Sequence, residues 1–185
     1  MTADPPETPA ETALSSTRVY DGRVVHLRVD EVRTAGGVSR REVIEHPGAV
    51  AIVAVQPGPQ VLLLRQWRYC AGAWLFEIPA GTLEAGEEPA ACARRELIEE
   101  TGYAAARLEP LVAFYSTPGF TTEFMHVFLA TDLHPAQADQ DEDELIEVAP
   151  VAWDEAVAMC LDGRIKDAKT TAGILAADAK MGTEK

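Results

Sequence analysis

Residues 81–103 read Gly-Thr-Leu-Glu-Ala-Gly-Glu-Glu-Pro-Ala-Ala-Cys-Ala-Arg-Arg-Glu-Leu-Ile-Glu-Glu-Thr-Gly-Tyr. Pro89 suits the first turn of a helix, Glu87 and Glu88 favour its positive end, and Gly102 is placed to stop it. The spacing therefore predicts a helix that ends at Thr101. At about 100° per residue, Glu96, Glu99 and Glu100 fall on one arc, while Ala90, Ala93 and Leu97 share another that can face a core. Three carboxylates on one arc repel each other. Arg95 can pair with Glu99 at i+4 but does not balance all three. Two readings stand at this point: a solvated acidic face, as charge runs usually are, or hard oxygen ligands suited to Mg²⁺ or Mn²⁺ rather than zinc.

On the N-terminal side, His46-Pro47-Gly48 breaks the chain and residues 49–55 form an apolar run, the mark of a buried strand. Gln56-Pro57-Gly58-Pro59 is a turn, residues 60–67 a further strand, and residues 74–78 a short strand that stops at Pro79. On the C-terminal side, strands over 108–115 and 123–131 flank a Ser116-Thr117-Pro118-Gly119 loop. A strand over 145–148 and helices over 154–161 and 167–180 follow. Residues 18–45 alternate and turn at Ala35-Gly36-Gly37, as an antiparallel β unit does. Such a unit is too small to stand alone and must rest on the main body or on a second subunit. The reading is an α/β (α+β) fold: a mixed sheet sandwiched between helices, preceded by the small antiparallel unit. The divisions are a disordered tail over 1–16, the β unit over 17–47, the main domain over 48–181 and a short tail over 182–185.

Thirty Asp+Glu face sixteen Lys+Arg, a net charge of −14, which argues against binding nucleic acid through general charge. Hydrophobic residues at 47% and charged ones at 25% allow an ordinary core. The first residues carry no apolar signal-like run, and the longest apolar stretch, 48–55, falls far short of the ~20 residues that span a bilayer. Cys70, Cys92 and Cys160 form neither a CxxC nor an even set, and no asparagine offers a glycosylation site. These bounds lead to the expectation of a cytoplasmic protein with no nucleic-acid or membrane partner. The histidines (His26, His46, His126, His134) are scattered. The acidic run 139–144 fails as an EF-hand, because Glu144 and Pro150 stand where Gly and Glu are required. It reads as a hydrated loop or as a source of a reactive carboxylate. Arg65 and Arg68, near the end of a strand, read as phosphate-gripping residues or as exposed strand charges.

The spacing Gly81, Glu87, Arg95, Glu96, Leu97, Glu99, Glu100, Gly102 fits G-x5-E-x7-R-E-U-x-E-E-x-G-U, with Tyr103 at the last apolar position. This is the Nudix box, and the chain resembles a Nudix hydrolase. Over residues 18–180 it is similar to the bacterial ADP-ribose pyrophosphatases, through Arg65-Gln66-Trp67-Arg68, Glu77-Ile78-Pro79-Ala80-Gly81, and Pro118 beyond the box. Thr117 and Thr122 depart from that group's pattern, while Glu123 matches it. The resemblance implies a Nudix-type α/β/α sandwich that hydrolyses ADP-ribose to AMP and ribose 5-phosphate, using Mg²⁺ with Mn²⁺ as a substitute. The implied metal ligands are Glu96, Glu99, Glu100 and the Ala80 carbonyl, with Glu87 a lesser candidate and Arg95 orienting the glutamates. Glu142, or failing it Glu144, would activate the water. Arg68, Arg65, Glu77, Pro118 and Gly119 would meet the substrate. Gly81 would let the backbone turn so that the Ala80 carbonyl reaches the ion. The resemblance also implies a homodimer whose N-terminal strands reach across to the adenine end. The rival readings are a Nudix hydrolase of GDP-mannose, a dinucleoside polyphosphate or an oxidised nucleotide, and a non-catalytic ADP-ribose sensor.

Overall fold

Residues 49–54 are buried on both faces, whereas residues 12–21 are exposed throughout. The computed structural model describes residues 10–137 and 146–183, with side chains through Gly182. Three strands come first: β1 (Thr12–Asp21), β2 (His26–Thr34) and β3 (Gly37–Glu45). Then follow β4 (Ala49–Gln56), β5 (Gln60–Arg68), β6 (Ala73–Glu77), β7 (Ala80–Thr82) and helix α1 (Pro89–Thr101). Strands β8 (Tyr103–Tyr115), β9 (Phe124–Pro135) and β10 (Ile146–Ala152) precede helices α2 (Trp153–Leu161) and α3 (Ala168–Thr183). The chain divides after His46 into two units, and Thr117–Glu123 groups with the first.

In the larger unit the sheet runs β10-β5-β4-β9-β8, with β6 on β5 and β7 on β4. Among the described residues only β4 and β9 pair in parallel in this sheet; its other pairs are antiparallel, so the sheet is mixed, as the sequence predicts. Strand β4 is central, and its two faces feed two cores. Val50, Ile52 and Ala54 pack with Cys92, Ala93 and Leu97 of α1. Ala49, Ala51 and Val53 pack with Trp153, Ala156 and Met159 of α2 and Ile174 and Ala177 of α3. Period-2 alternation thus places helices on both faces. Each fully buried Val or Ile contributes roughly 1.5–3 kcal/mol.

The first unit is a three-stranded antiparallel sheet in the order β1-β2-β3. Thr117–Glu123 is stitched to it through a bridge from Ile44 to Thr121, with Ile44 N–H donating to the Phe120 carbonyl at 2.7 Å. Several expectations need correcting. Residues 12–16, expected as part of a tail, open β1, and Gly182 and Thr183 continue α3. Ala90 is exposed in the first turn of α1, and Cys92 takes its place on the core face. The short β7 has no counterpart among the predicted strands. It matters because it carries Ala80 and Gly81 onto β4, with Ala80 opposite Ala51.

Candidate active site

Helix α1 begins at Pro89 and closes at Gly102, whose φ of 72° lets its N–H reach the Ile98 carbonyl at 2.8 Å. With Cys92, Ala93 and Leu97 turned to the core, the acids and Arg95 line the other side. Arg95 is the hub. Its Nε and Nη2 donate to Glu87, both at 3.1 Å, and its Nη1 donates to Glu96 at 2.7 Å and Glu99 at 3.0 Å. The guanidinium and the Glu84 amide hold Glu87 down at a pKa of about 2. Glu96 moves the other way. Burial raises its pKa, and the nearby Glu99 and Glu87 charges add to that against the pull of Arg95.

Glu96 also explains Gly81. A Cβ on Gly81 would fall 1.9 Å from the Glu96 carboxyl carbon. The glycine is therefore required by the close approach of that side chain; Gly81 is not among the residues of positive φ, so a special backbone turn is not the reason. Glu100 reaches the same segment, its Oε2 accepting the Ala80 N–H at 2.8 Å. Helix α1 and strand β7 thus bring Glu96, Glu99, Glu100 and the Ala80 backbone into one neighbourhood.

A second cluster lies on β5, β6 and the start of α3. Glu77, only 3% exposed, accepts the Nε and Nη2 of Arg68, each at 2.7 Å, and the Nζ of Lys169 at 2.5 Å. Burial pushes its carboxyl up, but the Arg68 fork and the Lys169 charge outweigh that and leave it at about 2. Arg68 is in turn raised by Glu77, against burial, and also feels the Glu100 and Asp167 charges. Lys169 also meets Asp167 at 3.1 Å. Asp167 accepts both the N–H (3.0 Å) and the hydroxyl (2.5 Å) of Thr170, and Thr170 Oγ1 accepts the Ile78 N–H at 2.9 Å.

Arg65 is not brought to these groups. It is an odd number of residues from Arg68 and so lies on the other face of β5. There its guanidinium stands 4.6 Å from the Trp74 ring, and it pairs with Glu147 at 3.4 Å. Pro118 and Gly119 belong to the first unit, at an exposed turn that closes on Thr117. Thr122, which stands where an acid is expected, uses its hydroxyl to accept the His46 N–H at 2.8 Å. Glu142 and Glu144 lie outside the described residues. Sequence reasoning misses Lys169, Asp167 and Thr170. Asp-x-x-Thr before a helix is a capping signal, but nothing local points Lys169 at Glu77.

Among the described residues, no three acidic, histidine or cysteine side chains already converge as a cation cage. Glu96 and Glu99 are turned to Arg95, and Glu100 to the Ala80 amide. The donor set nevertheless fits a hard divalent cation. Oxygen ligands outnumber the one guanidinium beside them, and Gly81 leaves open the space in which the Glu96 carboxylate sits.

A carboxylate-bearing helix joined by a loop to a short strand, seated on a mixed sheet beside an arginine fork, defines a metal-assisted hydrolase of phosphoanhydrides. Residues 45–173 match the NUDIX domain, and the chain belongs to that family of pyrophosphohydrolases, which generally require a divalent cation. It is 41% identical over 167 residues to an ADP-ribose pyrophosphatase of Bacillus subtilis, covering 89% of this chain and 90% of that one. It is 40% identical over 172 residues to an ADP-ribose pyrophosphatase of Mycobacterium tuberculosis, covering 90% and 82%. A GDP-mannose pyrophosphatase of Yersinia enterocolitica is 41% identical over a shorter 133 residues, 66% of this chain and 69% of that one. In fold, the chain is similar to a crystal structure of an ADP compounds hydrolase, with a TM-score of 0.84 at 19% identity, covering 95% and 96%. No helix among the described residues is long and apolar enough to cross a membrane.

Proposed function

We propose that the protein hydrolyses the diphosphate bond of ADP-ribose, giving AMP and ribose 5-phosphate, with Mg²⁺ as cofactor and Mn²⁺ as a substitute. The observation that carries this reading is the cluster of Glu87, Glu96 and Glu99 around Arg95, with Glu100 beside it on the Ala80 backbone. The choice of ADP-ribose rests on the two relatives named for it, each matched over about nine-tenths of this chain.

Glu96, Glu99, Glu100 and the Ala80 carbonyl would hold the cation. When bound, it neutralises diphosphate charge and lowers the pKa of a water. Arg95 keeps the glutamates oriented through its four hydrogen bonds to Glu87, Glu96 and Glu99. Arg68 grips the diphosphate: of five guanidinium N–H groups, two are spent on Glu77 and three remain to donate. Glu142, with Glu144 as the alternative, takes the proton of the attacking water. The oxygen of that water joins one phosphorus as the bridging P–O bond breaks, and the departing phosphate keeps the bonding pair. Pro118 and Gly119 belong to the substrate-binding loop; Arg65, on the far face of β5 with Trp74 and Glu147, has no part in it.

The active species is a homodimer. Its support is β1, a sheet-edge strand exposed along all ten residues with Leu14, Val19 and Tyr20 facing outward. Open apolar edges of this kind invite pairing. Light scattering on the purified protein should give twice the chain mass at micromolar concentration, and a monomer there removes this part of the proposal. The reaction is tested by incubating the protein with ADP-ribose and Mg²⁺ and separating the products by ion exchange. AMP and ribose 5-phosphate in equal amounts support the reading; intact ADP-ribose with rapid cleavage of GDP-mannose favours the second reading, which relatives from Yersinia suggest.

A further inference from the structure

Glu77 has more cation around it than its charge requires. A buried carboxylate is neutralised by one partner, and the two-pronged hydrogen bond from Arg68 supplies it. Lys169 adds a second at 2.5 Å, in a chain where only sixteen Lys+Arg serve thirty acids. The extra contact has a geometric effect. Each carboxylate oxygen offers two lone-pair directions, and the arginine fork fills one on each. Lys169 fills a second on Oε2, so the carboxylate plane cannot turn without breaking a charged hydrogen bond.

Lys169 itself is anchored. Asp167 meets its ammonium at 3.1 Å and takes both the N–H and the hydroxyl of Thr170. Thr170, fully buried, accepts the Ile78 N–H. Three residues on, α3 lies so close to the sheet that a Cβ on Gly173 would come within 3.0 Å of both Ile78 and Val53. The start of α3 is therefore a fixed base, and the half-exposed Arg68 is the moving part whose orientation it sets.

We infer that Lys169 is a positioning residue: from α3 it locks the Glu77 carboxylate and so aims the free N–H groups of Arg68 at the substrate's diphosphate. The inference rests on the reading of Arg68 as a diphosphate-binding residue. A purely structural lysine would lower stability without selectively weakening substrate affinity. A phosphate is gripped in the ground state and in the transition state alike, so loss of aim should appear mainly in KM.

The test is a double-mutant cycle of Lys169→Met and Arg68→Met, by steady-state kinetics on ADP-ribose at saturating Mg²⁺ with melting curves alongside. K169M should raise KM about tenfold with kcat within about threefold, R68M should raise it further, and the double variant should match R68M within about twofold. Lys169→Arg, which keeps a cation at Glu77, should recover most of the loss. Multiplying effects, a wild-type KM in K169M, or a wild-type KM in R68M would each overturn the inference. Should K169M fail to fold, Lys169→Gln takes its place in the same cycle with the same outcomes. If the wild type does not cleave ADP-ribose, the substrate reading fails by itself. The cycle then runs on the nucleoside diphosphate derivative that the wild type does cleave, and coupling between Lys169 and Arg68 still decides the inference.

Discussion

The two charged clusters of the larger unit are built on opposite principles. Around Arg95, the three carboxylates of Glu87, Glu96 and Glu99 share one guanidinium, and burial keeps Glu96 at a raised pKa. Around Glu77, two cations and two carboxylates close on one another, and Glu77 is held at about 2. The first cluster is left short of positive charge, which a divalent cation would correct; the second is balanced, two cations against two carboxylates. On the proposed mechanism, surplus charge marks the chemical centre and satisfied charge marks its support.

If that contrast is right, the largest effect follows from removing charge at the unbalanced cluster. Glu100→Gln should leave the melting temperature near wild type and lower kcat roughly 10²–10³-fold. Wild-type turnover of ADP-ribose by this variant with Mg²⁺ would break the comparison at its root. Gly81→Ala comes next. The added methyl has to displace the Glu96 carboxylate, so activity should fall about 10–100-fold and recover partly at high Mg²⁺. A Mg²⁺ titration that superimposes on the wild type would show that Glu96 is not where the cation is held.

The sequence makes some of this visible and hides the rest for physical reasons. Helix α1 is legible because its start, stop and acid spacing are local properties of thirteen residues. Strand β4 is legible because burial on both faces demands an unbroken apolar run. The beginning of β1 reads as tail because the strand buries nothing, and a strand exposed throughout has no periodicity for its sequence to record. Ala90 falls on the core arc by helical phase alone, yet it is exposed in the first turn of α1. In the second cluster, Arg68 and Glu77 can be picked out through family resemblance. Lys169 cannot, since its partner is 92 residues away and only the seating of α3 against the sheet brings them together. Arg65 and Arg68 are a simpler case: they are three positions apart, an odd number, and strand alternation alone assigns them to opposite faces of β5.

The balanced cluster predicts a specific pH response. The folded pKa of Glu77, about 2, lies below the usual value near 4.5, so its pairing stabilises the fold fully above pH 4.5. That contribution is lost as pH falls from 4.5 through 2, because the protonated acid no longer attracts Arg68 and Lys169. The shift corresponds to about 3 kcal/mol. Thermal melts between about pH 2 and 6 should therefore fall more steeply for the wild type than for Glu77→Gln, which is less stable at about pH 6 but flatter below. Parallel curves would mean that Glu77 is paired no better in the folded chain than in the unfolded one.

The smallest expected effect concerns whether the unbalanced cluster holds yet another negative group. Cys92 sits within it, its Sγ accepting from Arg95 Nη2 at 3.3 Å and standing 3.7 Å from the Thr82 carbonyl oxygen. A thiolate there would deepen the surplus. Burial instead pushes the thiol up to about 12, with Glu87 adding to the shift, so Cys92 is neutral at physiological pH. In the native protein at about pH 8, a thiol reagent should modify the exposed Cys70 at once and leave Cys92 untouched until the chain unfolds. Mass spectrometry of a brief alkylation reads this directly. Rapid labelling of Cys92 in the folded protein would put a thiolate beside Glu87 and Glu96, and the charge count that separates the two clusters would have to be redrawn.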